Sequence, residues 1–166
     1  MPHLQFELNF APPAEEKRAL AAAVIRHFAE IMDTGTDHVA VTVRTFAAED
    51  LTFGRAAASG GRAAFVDADL RLGRTMDQKR RLSLAFIGEL AARFGLAPEA
   101  VYVILTEHDG HHFQLSDRVL PSWSAGEDPL ADPPASPARK RASRPASARV
   151  RSSAGKPAPR RRRARR

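Results

Sequence analysis

Hydrophobic residues change their spacing several times along the chain, which predicts alternating strands and helices. From Leu4 to Phe10 every second residue is hydrophobic, as in a strand with one buried face. From Leu20 to Met32 hydrophobic residues recur three and four positions apart, which is typical of an amphipathic helix. Val39–Phe46 then alternates again. These three segments predict a β-α-β unit, followed by a glycine-containing loop.

A second unit with the same order follows. Phe65–Leu72 predicts a third strand, and Thr75 with Gln78 matches the capping box that starts a helix. Gly95 is expected to end this helix, because glycine adopts the left-handed conformation found just past many helices. Val101–Leu105 alternates as a fourth strand. The sequence therefore predicts an α/β (α+β) fold in which a tandem β-α-β repeat forms a four-stranded sheet backed by two helices.

Helical crossovers of this length connect parallel strands, so each unit should contribute one parallel pair, with both helices on one face of the sheet. The opposite face is expected to be largely polar. Because one layer of helices leaves that face and the sheet edges open, we expect an oligomer to cover them. The polar positions predicted for the open face are Gln5, Glu7, Thr42, Arg44, Asp67 and Asp69.

The net charge of +7 is unevenly distributed along the chain. Residues 125–166 contain thirteen Lys and Arg against three Asp and Glu, so residues 1–124 are net acidic. The segment 125–166 is rich in Ala, Ser, Pro and Arg and is predicted to be a disordered basic tail after a domain spanning 1–124. Its arginine-rich end suggests weak binding of nucleic acid or an anionic surface. An unselected solvated tail, or translation of a non-native reading frame, is the favoured interpretation.

Composition excludes several classes of chemistry. There is no cysteine, which excludes disulfides, thiolate metal sites and thiol nucleophiles. No signal peptide or membrane-spanning run is predicted, so a cytoplasmic location is expected. The cluster Glu107–His112 has the composition of a metal site, but its spacing fits no helical His-x-x-x-His pair and Asp109-Gly110 favours a turn. A solvated loop is the prediction there.

Pro2 is the first candidate for catalysis. Removal of Met1 would leave a secondary amine at the start of a strand, and an α-amino group has a pKa of about 7.7–8.0 in model peptides. Burial and neighbouring cations lower that pKa. Such an amine can act as a general acid or base near neutral pH. Proline at position 2 is common, so this pattern gains weight only beside cations that would receive an anionic substrate.

Arg71 and Arg74 supply such cations. They flank Gly73 where the third strand leads into the second helix. Guanidinium groups bind carboxylates in a bidentate manner, and the free N–H groups of a helix start add positive potential. Solvated arginines at a strand end are the alternative, which spacing alone favours.

These residues together resemble the tautomerase superfamily. The resemblance is carried by Pro2, the tandem β-α-β layout and the run Arg71–Lys79. Val101–Glu107 and Arg118–Pro121 are similar to the branch that contains cis-3-chloroacrylic acid dehalogenase. Met1-Pro2-His3, and Ala64-Phe65-Val66 leading to Gly73-Arg74, are similar to 5-carboxymethyl-2-hydroxymuconate isomerase. The resemblance covers residues 2–123.

The resemblance implies homotrimers of β-α-β repeats with an active site around each N-terminal proline, near a subunit boundary. It implies that Pro2 shuttles the proton, and that Arg71 and Arg74 bind the substrate carboxylate and stabilise the dienolate. It also implies that no metal or organic cofactor is needed. The expected activity is that of an isomerase, interconverting keto and enol forms of small unsaturated acids.

The sequence departs from the dehalogenase pattern at two positions. Ile104 replaces a strand tyrosine, and Leu115 falls where the dehalogenase has a water-activating glutamate. These departures count against the alternative of a hydratase, dehalogenase or decarboxylase acting on acrylic or β-keto acids. By the same resemblance, Tyr102, Arg44 and His27 are further candidates for substrate binding. His27 lies in the apolar stripe of the first helix, where a core role is the alternative.

Overall fold

A computed structural model describes residues 2–54, 61–128 and 130–131 of the chain. A four-stranded sheet of order β2-β1-β3-β4 packs against two helices. The strands are β1 (His3–Leu8), β2 (Ala40–Thr45), β3 (Ala64–Arg71) and β4 (Val101–His108), and the helices are α1 (Ala14–Met32) and α2 (Met76–Phe94). Short 3-10 turns cover Pro98–Ala100 and Gly110–His112.

The strand pairing confirms the predicted tandem repeat. β1 pairs with β2 in parallel, and β3 pairs with β4 in parallel. The two units join through the antiparallel pair β1–β3, in which His3 lies opposite Asp69. His3 also lies opposite Ala40 of β2. This register places the amino end of β1 between the start of β2 and the carboxyl end of β3.

The helix ends follow the local sequence. The Gln78 backbone N–H donates to the Thr75 hydroxyl at 3.2 Å, and the Thr75 N–H donates to the Gln78 side chain at 3.0 Å. The predicted capping box is therefore present. Gly95 ends α2 with φ of 66°. α1 ends at Met32, where the helical spacing of hydrophobic residues also ends, and its C-cap is Asp33, a non-glycine residue with φ of 49°.

The core lies between the sheet and both helices. The even-numbered residues of β1 are fully buried against them, and Phe6 meets Phe86 of α2 edge to face, with 5.4 Å between ring centroids. The other sheet face is only partly covered in the single chain. It carries the ion pair between Arg44 and Glu7, at 3.5 Å.

Some predictions fall on residues outside the described ranges. Residues 55–60 of the predicted glycine-containing loop are among them, and so are residues 132–166 of the predicted tail. Disorder of the tail and its binding of nucleic acid therefore stay predictions. Directly past the predicted boundary at residue 124, the Gly126 N–H donates to the Asp33 carboxylate at 2.9 Å. None of the described helices is long and apolar enough to cross a membrane.

Substitution of Phe86 tests this core. Phe86→Ala removes a fully buried ring and leaves a cavity, so the free energy of unfolding should fall by about 3–5 kcal/mol. Leu84 lies on the same helix with 53% of its surface exposed, so Leu84→Ala should change it by only about 0.5 kcal/mol. Urea denaturation followed by circular dichroism measures both. Equal losses would contradict this assignment of the core face.

Candidate active site

Pro2 directly precedes β1, and the pairing of β1 with its neighbours fixes its position. It is buried, and its carbonyl accepts a hydrogen bond from the Ala40 N–H at 3.0 Å. Continuing the antiparallel register past the pair His3–Asp69 places Pro2 beside Leu70, one residue before the end of β3. The candidate proton shuttle is therefore held in a fixed position at the sheet end where β3 runs into α2.

Arg71 and Arg74 are buried at the same end of the sheet. Their exposed fractions are 3% and 7%, so the alternative of solvated arginines is wrong. Gly73 makes the tight turn between them with φ of 120°, a conformation that side chains disfavour. A Cβ at Gly73 would lie 2.8 Å from the Trp123 carbonyl oxygen. The turn thus needs glycine both for its backbone angle and for close approach of residue 123.

The Arg74 guanidinium is a buried cation held by neutral groups. Its Nη1 donates to the Arg71 carbonyl at 3.2 Å, and its Cζ lies 4.6 Å from the centroid of the Trp123 ring. Burial lowers the pKa of Arg74 to about 9, helped by the charge of Arg71 and opposed by Glu107. Arg74 is still a cation at neutral pH. Two buried N–H donors, Arg74 Nε and Trp123 Nε1, have no partner among the described residues.

Arg71 has a carboxylate partner. Its Nη1 donates to the Pro121 carbonyl at 2.8 Å, and its Nη2 is paired with Glu127 Oε1. Burial lowers the pKa of Arg71. Sequence analysis missed Glu127, because the composition of residues 125–166 placed it in the tail. Composition alone does not distinguish an acidic residue that packs against the domain from an acidic residue of a solvated tail.

His38 is a second residue that sequence analysis missed. It is 3% exposed, and its Nε2 lies 3.4 Å from the Thr34 hydroxyl. Burial lowers its pKa to about 4, together with the positive charges of the N-terminus, Arg71 and Arg74, and against Asp128. His38 is thus neutral and close to the cationic site. The parallel register of β1 and β2 offered a clue, since it places the residues just before Ala40 beside the start of the chain.

Three of the predicted binding residues lie elsewhere in the single chain. Tyr102 stacks on Phe65 at the opposite end of the sheet. Thr106 of β4 lies opposite Asp69, the residue of β3 that pairs with His3. Tyr102 is four residues from Thr106 and therefore about 13 Å along the strand from the end that holds Pro2. Arg44 lies four residues past Ala40 and pairs with Glu7. His27 is a partly exposed residue 3.4 Å from Glu89, not the core histidine of the alternative interpretation.

The histidine-rich turn after β4 contains one group of potential metal ligands. Asp109, His111 and His112 are exposed, and their ligand atoms lie within 4.8 Å of one another. His108 is engaged elsewhere, since its Nε2 bonds to Asp69 at 2.8 Å. The turn is exposed to solvent, as the predicted solvated loop would be.

No protein-family profile and no curated protein sequence matches the chain. Solved structures do match it. A malonate semialdehyde decarboxylase inhibited by 3-bromopropiolate superposes with a TM-score of 0.59 and 21% identity, over 68% of this chain and 88% of that protein. The structure of N1, a member of the cis-3-chloroacrylic acid dehalogenase family, gives a TM-score of 0.62 and 23% identity over 72% and 84%. A fused 4-OT, a wild-type symmetric trimer, superposes with a TM-score of 0.63 and 23% identity, over 71% of this chain and 94% of that protein.

The chain has the tautomerase-superfamily fold. The structural neighbours with that fold include proteins named for different activities, a decarboxylase and a member of a dehalogenase family. At these identities the similarity establishes the tautomerase fold and leaves the reaction to be argued from the site itself.

The turn at Gly73 can be tested with a matched glycine. Gly73→Ala places a methyl group against the Trp123 carbonyl, so it should displace Trp123 and change its fluorescence emission. Gly95 also has a positive φ, but a Cβ there meets nothing within 4 Å. Gly95→Ala should therefore lower the free energy of unfolding by about 1–2 kcal/mol and leave the emission unchanged. Trp123 is the single tryptophan of the chain, so steady-state fluorescence reads this position alone.

The pKa of His38 predicts how stability depends on pH. The unfolded chain takes up a proton at His38 below about pH 6.5, whereas the folded protein does so only near pH 4. The free energy of unfolding should therefore fall between pH 6.5 and 4, by at most about 3 kcal/mol from this group. In His38→Gln this contribution to the fall in the free energy of unfolding should be absent. Denaturation at a series of pH values measures the free energy of unfolding. The same dependence on pH in the variant would contradict the lowered pKa of His38.

Proposed function

We propose that this protein is a cofactor-independent tautomerase that interconverts keto and enol forms of small unsaturated acids. Removal of Met1 would free the Pro2 amine, which acts as general acid and base. Arg74 binds the substrate carboxylate, and Arg71 adds positive potential beside it. The observation that carries the proposal is Arg74, a buried cation without a carboxylate partner among the described residues, at the same end of the sheet as Pro2.

The charges at this end of the sheet suit a proton-transfer site. Two buried arginines near the chain start disfavour a further positive charge, so we expect the pKa of the Pro2 amine to be lower than that of an exposed terminus. The same cations favour an anionic substrate. His38 stays neutral at working pH and does not compete with the amine as a second cation.

The reaction follows from these groups. The substrate carboxylate binds Arg74, where two buried N–H donors lack partners among the described residues. In the ketonisation direction the Pro2 amine takes the proton of the enol hydroxyl and then returns a proton to the conjugated carbon, and in the enolisation direction both transfers run in reverse. The negative charge of the dienolate develops close to Arg74 and Arg71. Such stabilisation of developing charge by preorganised groups is usually the largest single contribution to catalysis.

We propose that the active protein is a homotrimer. The polar sheet face is only partly covered in the single chain, and one fused 4-OT with this fold is a symmetric trimer. Tyr102 and Arg44 lie at the far end of the sheet from Pro2 of their own chain. In a homotrimer they would serve the site of a neighbouring subunit, because the resemblance implies an active site near a subunit boundary.

Substitution of Pro2 and Arg74 tests the proposal. With Met1 removed, the protein should ketonise 2-hydroxymuconate or phenylenolpyruvate, followed by ultraviolet absorbance. Pro2→Ala should lower kcat by at least about 100-fold, because the general acid–base group is altered. Arg74→Ala should lower it by about 100- to 1000-fold, because the charge facing the dienolate is lost.

Arg81 provides the control. It lies on α2 with 59% of its side chain exposed, so Arg81→Ala removes a nearby arginine without altering the site. Turnover in this variant should match that of the unsubstituted protein. If Arg74→Ala and Arg81→Ala were equally active, or if the unsubstituted protein turned over neither enol, the proposal would fail.

A further inference from the structure

We infer that Glu127 is a specificity-determining residue: its carboxylate offsets part of the charge of Arg71, leaves Arg74 as the one of these two arginines without a carboxylate partner among the described residues, and so selects acids with one carboxylate over acids with two. This inference rests on the proposed function, because it concerns the substrate class of that same site. It also has a binding test that does not depend on turnover.

The contact between Glu127 and Arg71 is buried. Glu127 Oε1 is paired with Arg71 Nη2, and Glu127 Oε2 accepts from Arg71 Nη1 at 3.5 Å. The exposed fractions of the two side chains are 13% and 3%. The Ser124 N–H also donates to Glu127 Oε2, at 3.3 Å. The Pro121 carbonyl and the Glu127 carboxylate thus engage Nη1 and Nη2 of Arg71, atoms through which a guanidinium group binds a carboxylate.

The segment that carries Glu127 is fixed to the domain on both sides. On the N-terminal side of Glu127, the Trp123 N–H donates to the Leu72 carbonyl at 3.1 Å. On its C-terminal side, the Ala131 carbonyl accepts from Arg118 Nη2 at 2.6 Å. Between them the Gly126 N–H is bound by the Asp33 carboxylate. Glu127 is therefore held against the domain beside Arg71.

The charges around the two arginines then differ. Arg71 has a carboxylate partner, whereas Arg74 contacts a carbonyl and an indole ring. Glu107 raises the pKa of Arg74 but is itself bound by Lys79 Nζ at 2.8 Å. One carboxylate on the substrate balances Arg74. A second carboxylate would lie near Glu127 in a site of low dielectric, where like charges repel strongly.

The kinetic test uses the full chain with Met1 removed and two enols, phenylenolpyruvate with one carboxylate and 2-hydroxymuconate with two. Glu127→Gln keeps the shape of the side chain and frees the charge of Arg71. The ratio of kcat/KM for the diacid to that for the monoacid should rise at least 10-fold. Glu127→Asp keeps the charge and should retain a ratio near that of the unsubstituted protein. Asp77→Asn, which removes an exposed negative charge at the start of α2, should leave the ratio unchanged.

Two kinetic outcomes would overturn the inference. An unchanged ratio in Glu127→Gln would show that Glu127 does not affect specificity. An equal acceleration of both enols would show that Glu127 merely blocks the site, without selecting between acids.

The binding test uses the fluorescence of Trp123, which lies against Arg74. Titration with butyrate and succinate, which are not turned over, gives a dissociation constant for one and for two carboxylates. The unsubstituted protein should bind butyrate at least as tightly as succinate, and Glu127→Gln should reverse the order. If the unsubstituted protein bound succinate 10-fold more tightly, the inference would be wrong, even if Glu127→Gln failed to fold. If the predicted order were found in a protein without tautomerase activity, only the proposed reaction would be wrong.

Discussion

The antiparallel pairing of β1 with β3 is the constraint on which the site depends. Each β-α-β unit alone forms one parallel pair, and nothing within a unit brings the chain start near an arginine. Pairing β1 with β3 places the amino end of one strand beside the carboxyl end of the other. Pro2 thereby comes to lie at the end of the sheet where Arg71, Gly73 and Arg74 connect β3 to α2.

Burying two arginines at one end of a small domain is costly, because each loses hydration and each repels the other. The structure compensates them unequally. Arg71 has Glu127 and the Pro121 carbonyl, whereas Arg74 has a carbonyl and the face of Trp123. Burial and the charge of Arg71 lower the pKa of Arg74, and the charge of Glu107 opposes them. A cation without a carboxylate partner favours an anion beside it, and this links the packing of the turn to the proposed chemistry.

The segment 121–131 contains residues that contact both buried arginines. It supplies the carbonyl and the carboxylate that hold Arg71, and the indole that contacts Arg74. Gly73 permits its close approach, since any side chain there would meet the Trp123 carbonyl. The predicted boundary at residue 124 therefore lies within a segment whose next residues contact Arg71 and Asp33.

The sequence by itself determined the elements and their order. Period-two and helical patterns located every strand and both long helices, and Thr75, Gln78 and Gly95 marked the ends of α2, because these features depend on local geometry alone. It also singled out Pro2, Arg71 and Arg74. Only the tertiary structure revealed His38 and Glu127, and only it separated Tyr102, Arg44 and His27 from Pro2 of the same chain. Those facts depend on strand register and on how a late segment folds back, which involve residues far apart in the chain, and no local pattern encodes such contacts.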